Sequence, residues 1–193
     1  MTGLTRREAI QRVTVLLGGA ALVGGEALLT GCRREAAGGA PFTAEDIAFL
    51  DEIADTILPE TSTPGAKAAK TGVFMALMVQ DTYDDQDQKL FREGMRKIDA
   101  AAHAAHGVPF LRATPEQRLA VLEPIDREQK AYSDARAEGQ PAHYFRMMKE
   151  LALLGYFTSE IGCTQAQRYE ETPGRYDPCV PYTPGGKAWA DHA

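Results

Sequence analysis

The chain has 193 residues, of which 44% are hydrophobic, 25% charged and 8% aromatic, and its formal net charge is −6. These values are those of an ordinary globular protein of about one domain, and the acidic charge argues against a nucleic-acid partner because it repels phosphate backbones. Beyond residue 31 no apolar run is long enough for a transmembrane helix, so the body of the chain is not expected to span a membrane.

Residues 1–31 have the pattern of an export signal. Arg6 and Arg7 stand in the stretch TRREAI, ahead of the apolar residues 13–25, and this order resembles a twin-arginine signal. An ordinary helix start with two basic residues is the alternative. The apolar run is rich in glycine and too short to span a bilayer as a mature helix, which favours the signal. Because twin-arginine export carries folded proteins, it suits a chain that acquires a cofactor or a cofactor-bearing companion in the cytoplasm.

Cys32 follows this signal in the stretch LTGC, which resembles a bacterial lipobox. In such a motif the cysteine thiolate accepts the lipid and becomes the first mature residue. A plain cleavage site or a buried cysteine is the alternative. Lipidation predicts a periplasmic lipoprotein, because two acyl chains suffice for stable membrane attachment. Residues 32–41 would then form a flexible tether before the folded part.

Three helices are predicted in the first part of the folded region. Thr43 begins a capping-box pattern, TAED, that starts the first helix, and Pro59 ends it. Residues 73–83 predict a short, mostly apolar helix that we expect deep in the core. Residues 85–106 predict a long amphipathic helix that Gly107 closes. The predicted inward positions are Ile47, Leu50, Ile53, Ala54, Ile57, Leu90, Phe91, Met95, Ile98 and Ala102.

A second group of helices completes the predicted domain, residues 42–162. Thr114 caps the next helix, with proline in its first turn and a reciprocal glutamine, and Pro124 is expected to interrupt it. A polar helix is predicted over residues 125–137, and a last helix begins at Pro141. The predicted inward positions here are Leu119, Leu122, Tyr144, Phe145, Met148, Leu151, Ala152 and Gly155.

After Gly162, proline and glycine interrupt every helical or strand-like spacing of apolar residues. Residues 163–193 are therefore predicted to form a long irregular arm. Four aromatic residues are spaced along the arm, namely Tyr169, Tyr176, Tyr182 and Trp189. An arm of this composition is expected to lie extended across a surface, either of its own bundle or of a partner. The predicted fold class is therefore all-α: a single small helical bundle with a Pro/Gly/Tyr-rich C-terminal arm.

Cys163 and Cys179 are the cysteines outside the lipobox. Two thiols in one small exported domain are expected to pair. A disulfide closing this loop would contribute about 3 kcal/mol in the chain-entropy model and would pin the arm to the last helix. Two free buried thiols are the alternative.

No catalytic constellation emerges from the sequence. His103 and His106 have a spacing that could ligate a metal, but they stand among alanines at a helix C-terminus, where histidine also favours the helix dipole. No dinucleotide-binding glycine motif, covalent haem motif or nucleophile elbow occurs. We therefore predict no catalytic, cofactor-binding or metal-binding residue in this chain.

Several stretches resemble the gluconate 2-dehydrogenase subunit 3 family. They are FTAED, LDEIADTILP and TPGA in the first third, and GYFTSE and PGRY near the end, so that the resemblance covers about residues 42–190. In particular they resemble the branch that accompanies glucoside 3-dehydrogenases. The resemblance implies a partner: an FAD-dependent catalytic large subunit of the GMC type, which oxidises the sugar and often passes electrons to a c-type cytochrome subunit.

The resemblance also implies an accessory role, in which the small subunit carries the export signal for the large one and supports its maturation. The predicted function is thus a non-catalytic small subunit of a membrane-associated periplasmic sugar dehydrogenase. A lipid-anchored binding or scaffold module without a redox partner, and an independent enzyme with an unrecognised metal site, are the alternatives. The predicted interface is the aromatic arm over residues 165–189, against the alternative that the arm packs on its own bundle.

Overall fold

Five α-helices form the described part of the chain. The computed structural model describes residues 40–172, 174–175 and 179–190. Arg6, Arg7, Cys32 and Tyr176 lie outside the described residues. The helices are α1 (Ala44–Ile57), α2 (Thr71–Thr82), α3 (Asp85–His106), α4 (Pro115–Ala135) and α5 (Tyr144–Phe157), with a 3₁₀ turn at Phe110–Arg112 and a π-helical turn at Gly162–Ala166. No strand occurs among the described residues, and the all-α prediction is confirmed.

Local capping signals set most of the helix ends. Thr43 accepts a hydrogen bond from the amide of Asp46, whose carboxylate accepts one in return, and this reciprocal pair starts α1. Thr114 and Gln117 form the same arrangement at α4. Gly107 ends α3 with a φ of 71°, a left-handed conformation that glycine adopts without a steric penalty. These three predicted boundaries are confirmed.

The predicted break at Pro124 is wrong, because α4 runs without interruption across it. Proline removes one backbone hydrogen bond from the helix interior, but buried side chains on both sides of Pro124 hold the helix against the core. These side chains are Val121, Leu122, Ile125 and Gln129. They form one stripe that excludes Leu119, which is 48% exposed and not inward as predicted.

α5 begins at Tyr144 and not at Pro141, because His143 supplies the cap. The imidazole Nδ1 of His143 accepts a hydrogen bond from the amide of Phe145 at 3.2 Å. Burial lowers the pKa of His143 below its ordinary value of 6.5, and the carboxylate of Glu128, 3.7 Å from Nε2, opposes part of this shift. The positive charge of Lys97 lowers the pKa further. The neutral imidazole is therefore the form that caps the helix.

The core lies where the helices meet, and two glycines allow the closest approaches. A Cβ atom on Gly94 of α3 would lie 2.3 Å from Cδ2 of Tyr144 on α5. A Cβ atom on Gly155 of α5 would lie 2.5 Å from Cδ1 of Phe74 on α2. The fully buried large side chains include Phe91, Phe110, Phe145, Leu50, Ile53, Met75, Ile98 and Met148. α5 thus sits directly against both α2 and α3.

Acidic side chains of α1 hold the loop that leads into α2. Asp51 accepts a hydrogen bond from the amide of Gly72 at 2.7 Å, and Asp55 accepts one from the amide of Lys67 at 3.3 Å. The hydroxyl of Tyr156 donates to the carbonyl of Pro64 at 2.7 Å from the α5 side. The residues of the LDEIADTILP and TPGA stretches therefore serve to fix α2 against α1 and α5.

The C-terminal arm folds back on its own beginning. The amide of Arg168 donates to the carbonyl of Ala188, and the amide of Ala190 donates to the carbonyl of Arg168, both at 2.8 Å. The guanidinium of Arg168 lies 4.3 Å from the ring centroid of Trp189, a cation–π contact. The arm is thus a closed loop whose two ends meet just beyond the π-helical turn.

The structure does not contain the predicted disulfide between Cys163 and Cys179. Cys163 lies in the π-helical turn, and its thiol donates to the carbonyl of Phe157 at 3.1 Å. The strand-like contact that closes the arm is made by Arg168 with residues 188–190, so Cys179 lies within the closed loop and not at its junction.

Candidate functional site

An exposed apolar surface on α2 and α5 is the most distinctive surface feature of the described residues. Val73 and Leu77 lie one turn apart on α2 and are 48% and 57% exposed. Leu153, Leu154 and Phe157 are exposed on the second half of α5. These five residues are called the α2–α5 face below.

Close packing of the two helices brings these residues onto neighbouring elements. The ring of Phe74 lies against Gly155, where no side chain intervenes. One side of α2 is buried in the core through Met75, Ala76 and Val79. The opposite side of the helix, which carries Val73 and Leu77, is exposed to solvent. α2 is therefore apolar on both its buried and its exposed sides.

Charged side chains are missing from the segments that carry this face. Residues 71–80 and 151–159 contain no Asp, Glu, Lys or Arg, although a quarter of the whole chain is charged. Lys70 and Asp81 bound the first segment, and Glu150 and Glu160 bound the second. Exposed apolar side chains of this kind commonly mark interaction sites.

A groove lies between the start of α1, α3 and the 3₁₀ turn. This groove has a volume of about 940 Å³ and is lined by residues that include Phe49, Met95, Arg96, Asp99 and Arg112. Asp99 is already engaged, because its carboxylate accepts a hydrogen bond from the amide of Phe110 at 2.9 Å. The groove combines both signs of charge around an apolar floor and holds no arrangement of a nucleophile with a base.

His103 and His106 lie in the last turn of α3, in different surroundings. His103 lies 4.0 Å from the carboxylate of Asp99, while Nε2 of His106 is buried without a hydrogen-bond partner. Among the described residues, no group of three His, Cys, Asp or Glu side chains is placed to hold a metal ion.

The aromatic residues predicted to form the interface are exposed where the structure describes them. Tyr182 is 85% exposed, and Tyr169 and Trp189 are each about half exposed. Trp189 also closes the arm through Arg168. Their role in an interface stays a prediction. Among the described helices, none is long and apolar enough to cross a bilayer.

Sequence reasoning missed the α2–α5 face because it placed α2 deep in the core. A helix that is apolar all round is usually buried, and the run TGVFMALMVQ fits that description. The useful signal was the second uncharged run, LALLGYFTS, on another helix.

Comparison with known proteins gives one match. The family model described as gluconate 2-dehydrogenase subunit 3 matches residues 44–174, more than half of the chain and all five helices. Searches of curated proteins and of solved structures returned no significant match. The chain therefore belongs to the gluconate 2-dehydrogenase subunit 3 family, a family of subunits of sugar-oxidising dehydrogenase complexes.

Proposed function

We propose that this chain is the non-catalytic small subunit of a periplasmic, FAD-dependent sugar dehydrogenase of the gluconate or glucoside 3-dehydrogenase type. The match of the family model over residues 44–174 is the observation that carries this proposal. The catalytic flavoprotein, of the GMC type, would bind FAD and oxidise the sugar, and a c-type cytochrome subunit would accept the electrons.

Several carboxylates of this chain are bonded within its own fold, which supports an accessory role. Asp51, Asp55 and Asp99 each accept a hydrogen bond from a backbone amide. Glu52 forms ion pairs with Lys67 and Arg118. These carboxylates position loops and helices, and the exposed apolar side chains of α2 and of α5 are available for contact with a partner.

The N-terminal residues give the proposal its cellular location. Arg6 and Arg7 would direct the folded complex through the twin-arginine route, so that one signal exports both chains. Lipidation of Cys32 would then hold the complex on the membrane through two acyl chains. Both roles rest on the sequence pattern alone.

Co-expression with the proposed catalytic flavoprotein tests the proposal. We expect flavin absorbance and sugar-dependent dye reduction in the periplasmic and membrane fractions only when both chains are present. The double variant Arg6→Lys/Arg7→Lys should leave the flavoprotein in the cytoplasm. The matched control Arg33→Lys/Arg34→Lys changes a second arginine pair, outside the signal, and should export normally.

Two results would contradict the proposal. Normal export of an active flavoprotein with the Arg6→Lys/Arg7→Lys chain would remove the export role. A stoichiometric metal and activity in the small chain alone would instead indicate an independent enzyme. The variant Cys32→Ser separately tests the anchor, because it should release the intact complex from membranes.

A further inference from the structure

We propose that the α4–α5 connection, residues 136–143, is a pH-sensitive switch that is held closed by the cap of His143 on α5. Protonation of the imidazole breaks this cap and leaves the imidazolium with the carboxylate of Glu128 on α4. The connection and the first turn of α5 then open together. Every group involved belongs to this chain, so the switch operates without the proposed partner.

Few contacts other than this cap hold the α4–α5 connection. Residues 134–141 are all exposed. The amide of Gln140 donates to the carbonyl of Ala137 at 3.2 Å, and the side chain of Gln140 accepts from the amide of Ala137 in return. The hydroxyl of Tyr132 donates to the carbonyl of Pro141 at 3.0 Å. A segment with so little buried surface opens at a low cost in free energy.

His143 joins this exposed segment to the core. Its side chain is only 9% exposed, and its ring centroid lies 5.7 Å from that of Tyr132 and 4.3 Å from that of Tyr144. Nδ1 accepts the hydrogen bond from the amide of Phe145, which only an unprotonated nitrogen can do. The next residue, Tyr144, is buried against Gly94 of α3. Loss of the cap therefore acts at the contact between α5 and α3.

Charged groups from α3 and α4 face the imidazole and determine its response to pH. Burial lowers the pKa of His143 from 6.5, and the positive charge of Lys97 on α3 lowers it further, while the carboxylate of Glu128 opposes part of the shift. Tyr144 stays neutral, because burial and the charge of Glu128 raise its pKa to about 12. The imidazole therefore binds a proton more readily once the connection has opened, so a fall in pH favours the open form.

Glu128 gives the protonated imidazole an alternative partner. In the imidazolium both nitrogens are donors, so Nδ1 no longer accepts from Phe145, and the new charge lies at the positive end of the α5 dipole. The carboxylate of Glu128 lies 3.7 Å from Nε2 and is 69% exposed, so it can follow the ring away from α5. Neutral His143 thus bonds to α5, and protonated His143 bonds to α4.

Amide hydrogen exchange of the full chain, measured by NMR, tests the switch. Two amides report on the first turn of α5: that of Phe145, and that of Met147, which donates to the carbonyl of His143 at 3.3 Å. After correction for intrinsic exchange rates, we expect their protection to fall between about pH 7.5 and about pH 5.5 by more than about twofold and up to about tenfold, the limit for an open form that titrates at the ordinary value of 6.5. The amide of Gln117 is the internal control, because Thr114 caps it without a titrating group.

Three substitutions distinguish the switch from a general effect of pH. His143→Asn keeps an acceptor that does not titrate, so protection should be retained at both pH values. His143→Ala removes the acceptor and should lower protection equally at both. Glu128→Gln removes the carboxylate that favours protonation, so it should lower the pKa of His143, which is read from the NMR shifts of its ring protons. Circular dichroism at both pH values checks that the bundle stays folded.

Several results would overturn the switch. One is a change in the exchange of Phe145 and Met147 no larger than that of Gln117, and another is a pH dependence that persists in His143→Asn. A pKa of His143 at or above 6.5 in the folded chain would exclude the switch as well, because the closed form would then hold the proton as readily as the open one. Loss of the helical circular dichroism at the lower pH would show unfolding of the whole bundle and would equally exclude a local switch.

Discussion

Arg118 should be among the residues that matter most for stability. Its guanidinium pairs with the carboxylate of Glu52 and donates to the carbonyls of Phe110 at 3.1 Å and Leu111 at 2.8 Å. The two charged side chains are only 12% and 14% exposed. Removing one member of a buried pair costs about 3–5 kcal/mol, because the other charge is left uncompensated. Lys67 remains beside Glu52, so we expect Arg118→Met to lower the free energy of unfolding by about 3 kcal/mol, the lower end of that range.

Urea denaturation followed by circular dichroism measures this loss. Arg127→Met is the control on the same helix, because Arg127 is 72% exposed and lies 3.9 Å from Glu123; its loss should be below about 0.5 kcal/mol. The double variant Glu52→Gln/Arg118→Met should be more stable than Arg118→Met alone, since it also removes the buried negative charge that Arg118 neutralises. Equal losses for Arg118→Met and Arg127→Met would refute this reasoning.

Three further predictions concern packing, a helix cap and pH. Gly94→Ala should lower the free energy of unfolding in urea by about 1–3 kcal/mol, since the new methyl group meets the ring of Tyr144 at 2.3 Å; unchanged stability would contradict the close approach. Asp51→Leu should cost about 1–3 kcal/mol by leaving the amide of Gly72 without its acceptor, whereas Asp51→Asn keeps an acceptor oxygen and should restore most of that stability. Because the folded-state pKa of His143 is lowered, its contribution is complete above the ordinary value of 6.5 and is lost as pH falls below it. His143→Asn should therefore flatten the fall in stability over this window, and an unaltered pH profile would show that His143 does not titrate as described.

The helix ends were predictable because their signals are local. Thr43 with Asp46, Thr114 with Gln117, and Gly107 act within three or four residues of the chain. Their geometry depends little on the rest of the molecule. The buried stripe of α3 can likewise be predicted from the helical spacing of its apolar residues, Phe91, Met95, Ile98 and Ala102.

The errors came from features that depend on distant parts of the chain. Pro124 fails to break α4 because tertiary packing outweighs a local propensity. The exposure of Val73 and Leu77 depends on which sides of α2 the other helices cover, and periodicity does not contain that information.

The candidate site was only partly accessible from the sequence. Exposed aromatic residues in the arm could be expected from its proline and glycine content, and Tyr182 is indeed exposed. Which sides of α2 and α5 stay exposed depends on packing contacts such as that of Gly155 with Phe74. A contact across 81 positions of sequence cannot be deduced from either helix alone.

We propose that this chain serves a catalytic flavoprotein and is not itself the enzyme. The most direct measurement is sugar-dependent dye reduction, together with flavin absorbance, in exported fractions from cells that express the flavoprotein with and without this chain. The account predicts flavin and activity outside the cytoplasm only when both chains are present. An exported, fully active flavoprotein in cells that lack this chain would contradict it.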